Sequence, residues 1–113
     1  MTTALTRLAT YGTLAPGRAN NHVLDGLSGT WSQGTVNGTL YEDGWGAAQG
    51  YPGLVLDQQG AAVGVFVFHS PDLPDHWDRL DRFEGSDYQR KTVTVKTPEG
   101  RVEAQIYTVI RRS

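Results

Sequence analysis

The order of apolar and polar residues along the chain is mostly that of strands. Leu5 to Tyr11 is apolar and β-branched and stops at Gly12, which predicts a first strand. Thr13-Leu14-Ala15-Pro16-Gly17 then reads as a loop with a Pro-Gly turn, and Asn20 to Leu24 as a short helix capped by Asn20 or Asn21. Thr30 to Thr35 and Val36 to Tyr41 are β-like. Between them, Asn37-Gly38 fits either a tight type I′ hairpin turn or a glycine inside one bulged strand. Asp43 to Gly53, rich in glycine and aromatics, reads as a long loop. Leu54 to Leu56, the turn Gln58-Gln59-Gly60, and Ala61 to His69 read as strand, turn and strand. Val63 to Phe68 is apolar on both faces, the pattern of a central strand. Tyr88 to Thr97 and Arg101 to Ile110 are two long strands, joined by Pro98-Glu99-Gly100 as a hairpin.

One segment has the helical period. From about Leu73 to Glu84, ended by Gly85, the residues Leu73, Trp77, Leu80 and Phe83 fall on one arc with His76 beside them. Asp75, Asp78, Arg79 and Arg82 fall opposite. Strands with one main helix and no βαβ alternation predict an α+β domain, and about six mostly antiparallel strands commonly close into a barrel that removes their edges.

Composition narrows the class. At 113 residues, the span 1–113 reads as one domain able to fold without staples, and there are no cysteines to supply disulfides, thiolates or a Cys zinc site. Ten Lys plus Arg against 12 Asp plus Glu leave no basic excess for nucleic acid or an anionic membrane. Neither a signal-peptide core in Met1 to Thr10 nor an apolar run of the ~20 residues that span a bilayer is present, so the expectation is a cytoplasmic protein. His22, His69 and His76 are too dispersed for a metal site, and Ser28, Ser32, Ser70 and Ser86 lack a nucleophile-elbow context. No metal and no cofactor are expected. Trp31, Trp45 and Trp77 are expected in the core or a cavity wall.

Two features carry candidate chemistry. Glu84 lies four residues after Leu80 and seven after Trp77, near the middle of the apolar arc. Burial there raises a carboxyl's pKa toward the range where it can take up a proton and return it. The alternative is that Glu84, in the last turn, bends out into water or makes a structural hydrogen bond. The second feature is Tyr11-Gly12-Thr13-Leu14, where a glycine at a strand end lets successive N–H groups form a nest for an anion. Taken alone, that tetrapeptide reads first as a plain turn, since Gly-Thr at a strand end is most often just that.

Together these segments resemble the γ-glutamylcyclotransferase-like (AIG2-like) family. Tyr11-Gly12-Thr13-Leu14 is similar to its Tyr-Gly-Ser-Leu motif, with Thr13 in place of serine. Leu80-Asp81-Arg82-Phe83-Glu84-Gly85 followed by Tyr88-Gln89-Arg90 resembles its Leu-Asp-x-x-Glu-Gly…Tyr-x-Arg segment. Val36 to Tyr41, Tyr51-Pro52-Gly53 and Tyr107 also match, in the family's order. The resemblance implies a small closed barrel with helices outside, and it favours Asn37-Gly38 inside a strand. It implies that the α-amine of a γ-glutamyl group attacks its own γ-carbonyl, releasing 5-oxoproline and an amine or amino acid. Glu84 would be general base and then acid. The amides of Gly12, Thr13 and Leu14 would hold a carboxylate or oxyanion, Tyr88 and Tyr107 would orient Glu84 or substrate, and Tyr11 would shape the cavity. The implied partner is a small γ-glutamyl compound and the implied state a monomer or weak homodimer. The competing expectation is a non-catalytic barrel that binds a small carboxylated or amide ligand; a third is that Glu84 only pins the helix to the barrel.

Overall fold

A computed structural model describes residues 4–11, 24–45, 51–85 and 88–109. Six strands follow in chain order: β1 (Arg7–Thr10), β2 (Thr30–Trp45), β3 (Tyr51–Leu56), β4 (Ala61–His69), β5 (Tyr88–Thr97) and β6 (Gly100–Val109). A single α-helix, α1 (Trp77–Glu84), and 3₁₀ turns at Ala4–Thr6 and Leu73–Asp75 complete the described elements.

The two predicted segments either side of Asn37-Gly38 are one 16-residue strand, β2. Asn37 shows why no turn forms there. Its side-chain Nδ2 donates to the Gly60 carbonyl (2.9 Å), and its own carbonyl accepts from the Asp57 amide (3.1 Å). Asn37 therefore holds the β3–β4 turn instead of making one. At Gly38 the strand changes partner. Thr30 to Gly38 pairs with β4, Gly38 onward pairs with β3, and both pairings are antiparallel. A Cβ on Gly38 would stand 2.5 Å from the Val55 carbonyl oxygen, so only glycine lets the two backbones meet. The expected loop from Asp43 to Gly53 is shorter than its composition suggests. Asp43 to Trp45 extend β2 and Tyr51 to Gly53 begin β3, with residues 46–50 outside the described ones.

The order β3-β2-β4-β1-β6-β5 returns on itself where Thr35 of β2 pairs with Lys96 of β5. Five strands thus form a closed ring and β3 lies outside it on β2, six strands in all, as expected for a small barrel of about six mostly antiparallel strands. Among the described residues the exception to antiparallel pairing is β1 with β6, Leu8 opposite Gln105 and Ala9 opposite Ile106.

Strand alternation divides neighbouring residues between two cores. Ala9, Val36, Val67, Val95 and Ile106 fill the barrel with Leu54, while Leu8, Phe68 and Tyr107 face out and pack under α1 with Leu73, Trp77 and Leu80. The first strand begins two residues later than expected, because Ala4 to Thr6 coil into a 3₁₀ turn whose Leu5 carbonyl accepts the Trp77 indole N–H (2.9 Å). The long helix expected from Leu73 is interrupted. Pro74 opens a 3₁₀ turn closed by the His76 amide on the Leu73 carbonyl (2.8 Å), and His76 then caps a two-turn α1. The expected helix from Asn20 falls outside the described residues apart from Leu24.

Candidate active site

Helix α1 buries Trp77 and Leu80, so its inward direction lies between them at about 100° per residue. Glu84 is close to that direction, Asp81 is within a quarter-turn of it, and Phe83 is well to one side. Phe83, expected on the buried arc, is 42% exposed. Glu84 is partly buried. Gly85 ends the helix at φ 87° and ψ −175°, a region open essentially to glycine alone, and its amide closes on the Asp81 carbonyl (3.1 Å). The chain leaves abruptly at this glycine, and the last helical residue keeps its inward side chain.

Loss of water pushes the Glu84 carboxyl from 4.5 up to about 7, with burial as the cause. The native protein therefore holds this proton more tightly than the unfolded chain does. The stabilisation from the neutral form is complete below about pH 4.5 and is lost as pH rises through 7. Glu84→Gln removes that dependence. It should melt higher than the parent at pH 8, by roughly 1–2 kcal/mol once partial exposure is allowed for, and match it near pH 4.5. Thermal melts of both proteins at the two pH values check this, and parallel pH curves would refute it.

Tyr11 sits where β1 leaves the ring. Its hydroxyl donates to the Tyr107 carbonyl (2.5 Å) and accepts the Leu54 amide (3.2 Å), joining the end of β1 to β6 and β3. Burial foremost, with the neighbouring Tyr88 and Glu84 charges, pushes its ionisation well above the usual tyrosine range, against the Leu54 amide. Tyr11 is thus a neutral phenol with both hydrogen-bonding directions used. Gly12, Thr13 and Leu14 lie outside the described residues.

The two tyrosines expected to orient Glu84 or substrate have different surroundings. Tyr107 is buried beneath α1 and donates its hydroxyl to Asp81 Oδ1 (2.6 Å). Its ionisation is pushed up by burial first, then by that bond and the Asp81 charge, and the Glu84 charge also raises it. Tyr88 is partly buried against the same outer core. The sequence reading matched Asp81 and Arg90 to the family-like segment but gave neither a role, and it did not single out Gln105. Arg90 donates through Nε to Asp81 Oδ1 (2.9 Å) and through Nη1 to Gln105 Oε1 (3.0 Å), with its guanidinium 4.7 Å from the Trp77 ring centre. The available signal was the position of Asp81, one turn before Glu84 on the same side of the helix.

Trp31 packs its ring 4.9 Å from Phe68 and lines an open depression of about 220 Å³ with Leu24, Asp25, Leu27 and Gly29. Trp77 is core. Among the described residues no three His, Cys, Asp or Glu are grouped to hold a metal, and no helix is long and apolar enough to cross a membrane.

A five-stranded barrel with an outer helix that ends on a poorly hydrated carboxyl, beside the tyrosine that follows β1, defines a small-barrel class of protein. The chain belongs to the gamma-glutamyl cyclotransferase, AIG2-like family, whose profile matches residues 8–113. Solved structures agree on the fold. An AIG2-like protein from Mus musculus superposes with a TM-score of 0.73 at 23% identity over 96% of this chain and 79% of that one. YkqA from Bacillus subtilis gives 0.70 at 28% identity over 92% of this chain, which spans 35% of that one. Kluyveromyces lactis allophanate hydrolase gives 0.68 at 19% identity over 93% of this chain and 19% of that one. A search of curated proteins returns no match.

Proposed function

We propose that this chain is a γ-glutamylcyclotransferase that closes 5-oxoproline from a γ-glutamyl amine or peptide, with Glu84 as its proton-transferring group. The observation that carries the reading is the Glu84 carboxyl, inward on α1 and held near neutrality at about 7, so that both protonation states are populated at neutral pH.

In this reaction the substrate supplies its own nucleophile, so much of the catalysis is holding the glutamyl chain curled. Ionised Glu84 takes a proton from the α-ammonium. The freed amine attacks the γ-carbonyl carbon, a C–N bond forms and the carbonyl oxygen carries the negative charge. The Gly12, Thr13 and Leu14 amides would stabilise that charge or hold the α-carboxylate. The intermediate collapses, the original amide C–N bond breaks, and protonated Glu84 gives its proton to the departing nitrogen. Ionised again, Glu84 takes the second proton from the ring nitrogen, which leaves the neutral lactam, and passes it to the released amine, which departs as an ammonium. Glu84 ends ionised, and no water is consumed. Tyr11 supports the reading indirectly, because its doubly used hydroxyl fixes the strand end from which residues 12–14 depart.

The reading of Glu84 as a helix pin has less support. No described residue donates a hydrogen bond to it, and the pinning contacts are made by Asp81. The test is a panel of γ-glutamyl amines and peptides incubated with purified protein at pH 7–8. The expected result is 5-oxoproline together with a stoichiometric amine. Binding without turnover across the panel would transfer the reading to a non-catalytic barrel for small carboxylated or amide ligands.

A further inference from the structure

Helix α1 has two turns, and His76 at its start offers no side-chain cap. A helix this short does not hold its own direction in water. Trp77 and Leu80 fix its first half by burial, but the last half carries exposed Arg82 and Phe83 before Glu84. What orients that half is polar. Asp81 Oδ1 accepts from Tyr107 Oη (2.6 Å) on β6 and from Arg90 Nε (2.9 Å) on β5, and Oδ2 accepts from Arg90 Nη2 (3.4 Å). Arg90 is itself fixed by the Trp77 ring and by Gln105, and the Gln105 amide is held by donating through Nε2 to Thr92 Oγ1 (2.8 Å). The groups from Thr92 to Asp81 are thus linked by an unbroken run of hydrogen bonds. Yet the Arg90 and Asp81 side chains are 24% and 41% exposed, and a pair so open to water contributes little to stability. An ion pair that adds little stability but is constrained from two strands and an aromatic face is suited to setting direction.

We propose that Asp81 and Arg90, with the Tyr107 hydroxyl, form a positioning device that fixes the end of α1 and thereby holds the Glu84 carboxylate inward, short of water. The inference rests on Glu84 being the working group, and it assigns Asp81 and Arg90 no contact with substrate. The titratable groups whose charges interact with Glu84 are the phenols of Tyr11, just after β1, and Tyr107 on β6. Tyr88 on β5 is a neighbour of Tyr11, and Arg90 and Asp81 form the paired charges on the Tyr107 side. Because burial is what keeps the Glu84 proton, a loosened helix end lets water in and returns the carboxyl toward its ordinary range.

The experiment follows the Glu84 carboxyl by carbon-13 NMR titration in the parent, Asp81→Asn, Arg90→Gln and the charge-keeping Arg90→Lys, with kcat and KM measured alongside. The expected result is a midpoint that falls by about one unit or more in Asp81→Asn and Arg90→Gln, and only partly in Arg90→Lys. The kcat should fall about 10–100-fold with KM within about threefold. A midpoint that stays at the parent value in the first two variants overturns the proposal, whatever happens to kcat. A midpoint that moves in a protein with no turnover keeps the positioning role and removes the catalytic reading instead. Should Arg90→Gln fail to fold, Tyr107→Phe, which deletes one hydroxyl on Asp81, is titrated in the same way and read by the same criterion.

Discussion

Glu84→Gln should leave the barrel folded and lower kcat on a γ-glutamyl substrate by about 10²–10⁴-fold, the usual contribution of a positioned proton carrier. Glutamine keeps the size and hydrogen-bonding capacity of the side chain, so the cavity shape survives while proton transfer is lost. In the parent, kcat/KM should rise with pH through an acid limb near 7, where the free protein's carboxyl ionises. That limb should be missing from whatever activity Glu84→Gln retains. Steady-state release of 5-oxoproline from pH 5 to 9 checks both statements. A Gln variant within threefold of the parent, with the limb intact, would place the proton transfer elsewhere.

The second large effect is expected at Tyr11→Phe. Removing the hydroxyl leaves the Leu54 amide without its acceptor and the Tyr107 carbonyl without this donor, in a part-buried setting. Orphaned backbone groups cost about 1–3 kcal/mol each, so a loss of roughly 2–4 kcal/mol is expected for the pair if water does not enter. Activity should fall as well, because residues 12–14 depart from this point. Denaturant unfolding measures the first effect and KM for the α-carboxylate-bearing substrate the second. A variant as stable as the parent would mean that the hydroxyl's two bonds are replaced by solvent without cost.

The sequence was legible wherever one residue's environment decides its neighbours. Ala61 to His69, from its apolar run, and Tyr88 to Thr97, from its β-branched and aromatic residues before the Pro98-Glu99-Gly100 turn, are strands with the bounds that the sequence indicates. Asn37-Gly38 was open locally, because its answer lies 23 residues away in the Gly60 carbonyl that the Asn37 side chain binds. The helix was placed too early because the arc from Leu73 ignores what Pro74 does to the first turn. Phe83 misled for a related reason. In a two-turn helix the buried direction is set by the two residues that reach the core, and Phe83 is not one of them. The inward turn of Glu84 was readable from its spacing to Trp77 and Leu80. The Asp81–Arg90 contact was not, since an ion pair across nine residues has no periodic signature.

The parallel pairing of β1 with β6 governs how the molecule comes into being. Leu8 and Ala9 find Gln105 and Ile106 as partners, and Tyr11 closes on Tyr107 at a separation of 96 positions. Such distant partners make loop closure expensive before any contact rewards it, so assembly is slow relative to a helical bundle of equal size. On the ribosome one edge of β1 can pair with β4 as soon as that strand is made, but the edge that faces β6 must wait for residues 100–109. Until then its unpaired edge is open to other nascent chains, which makes the interval before β6 emerges the time of greatest exposure to aggregation.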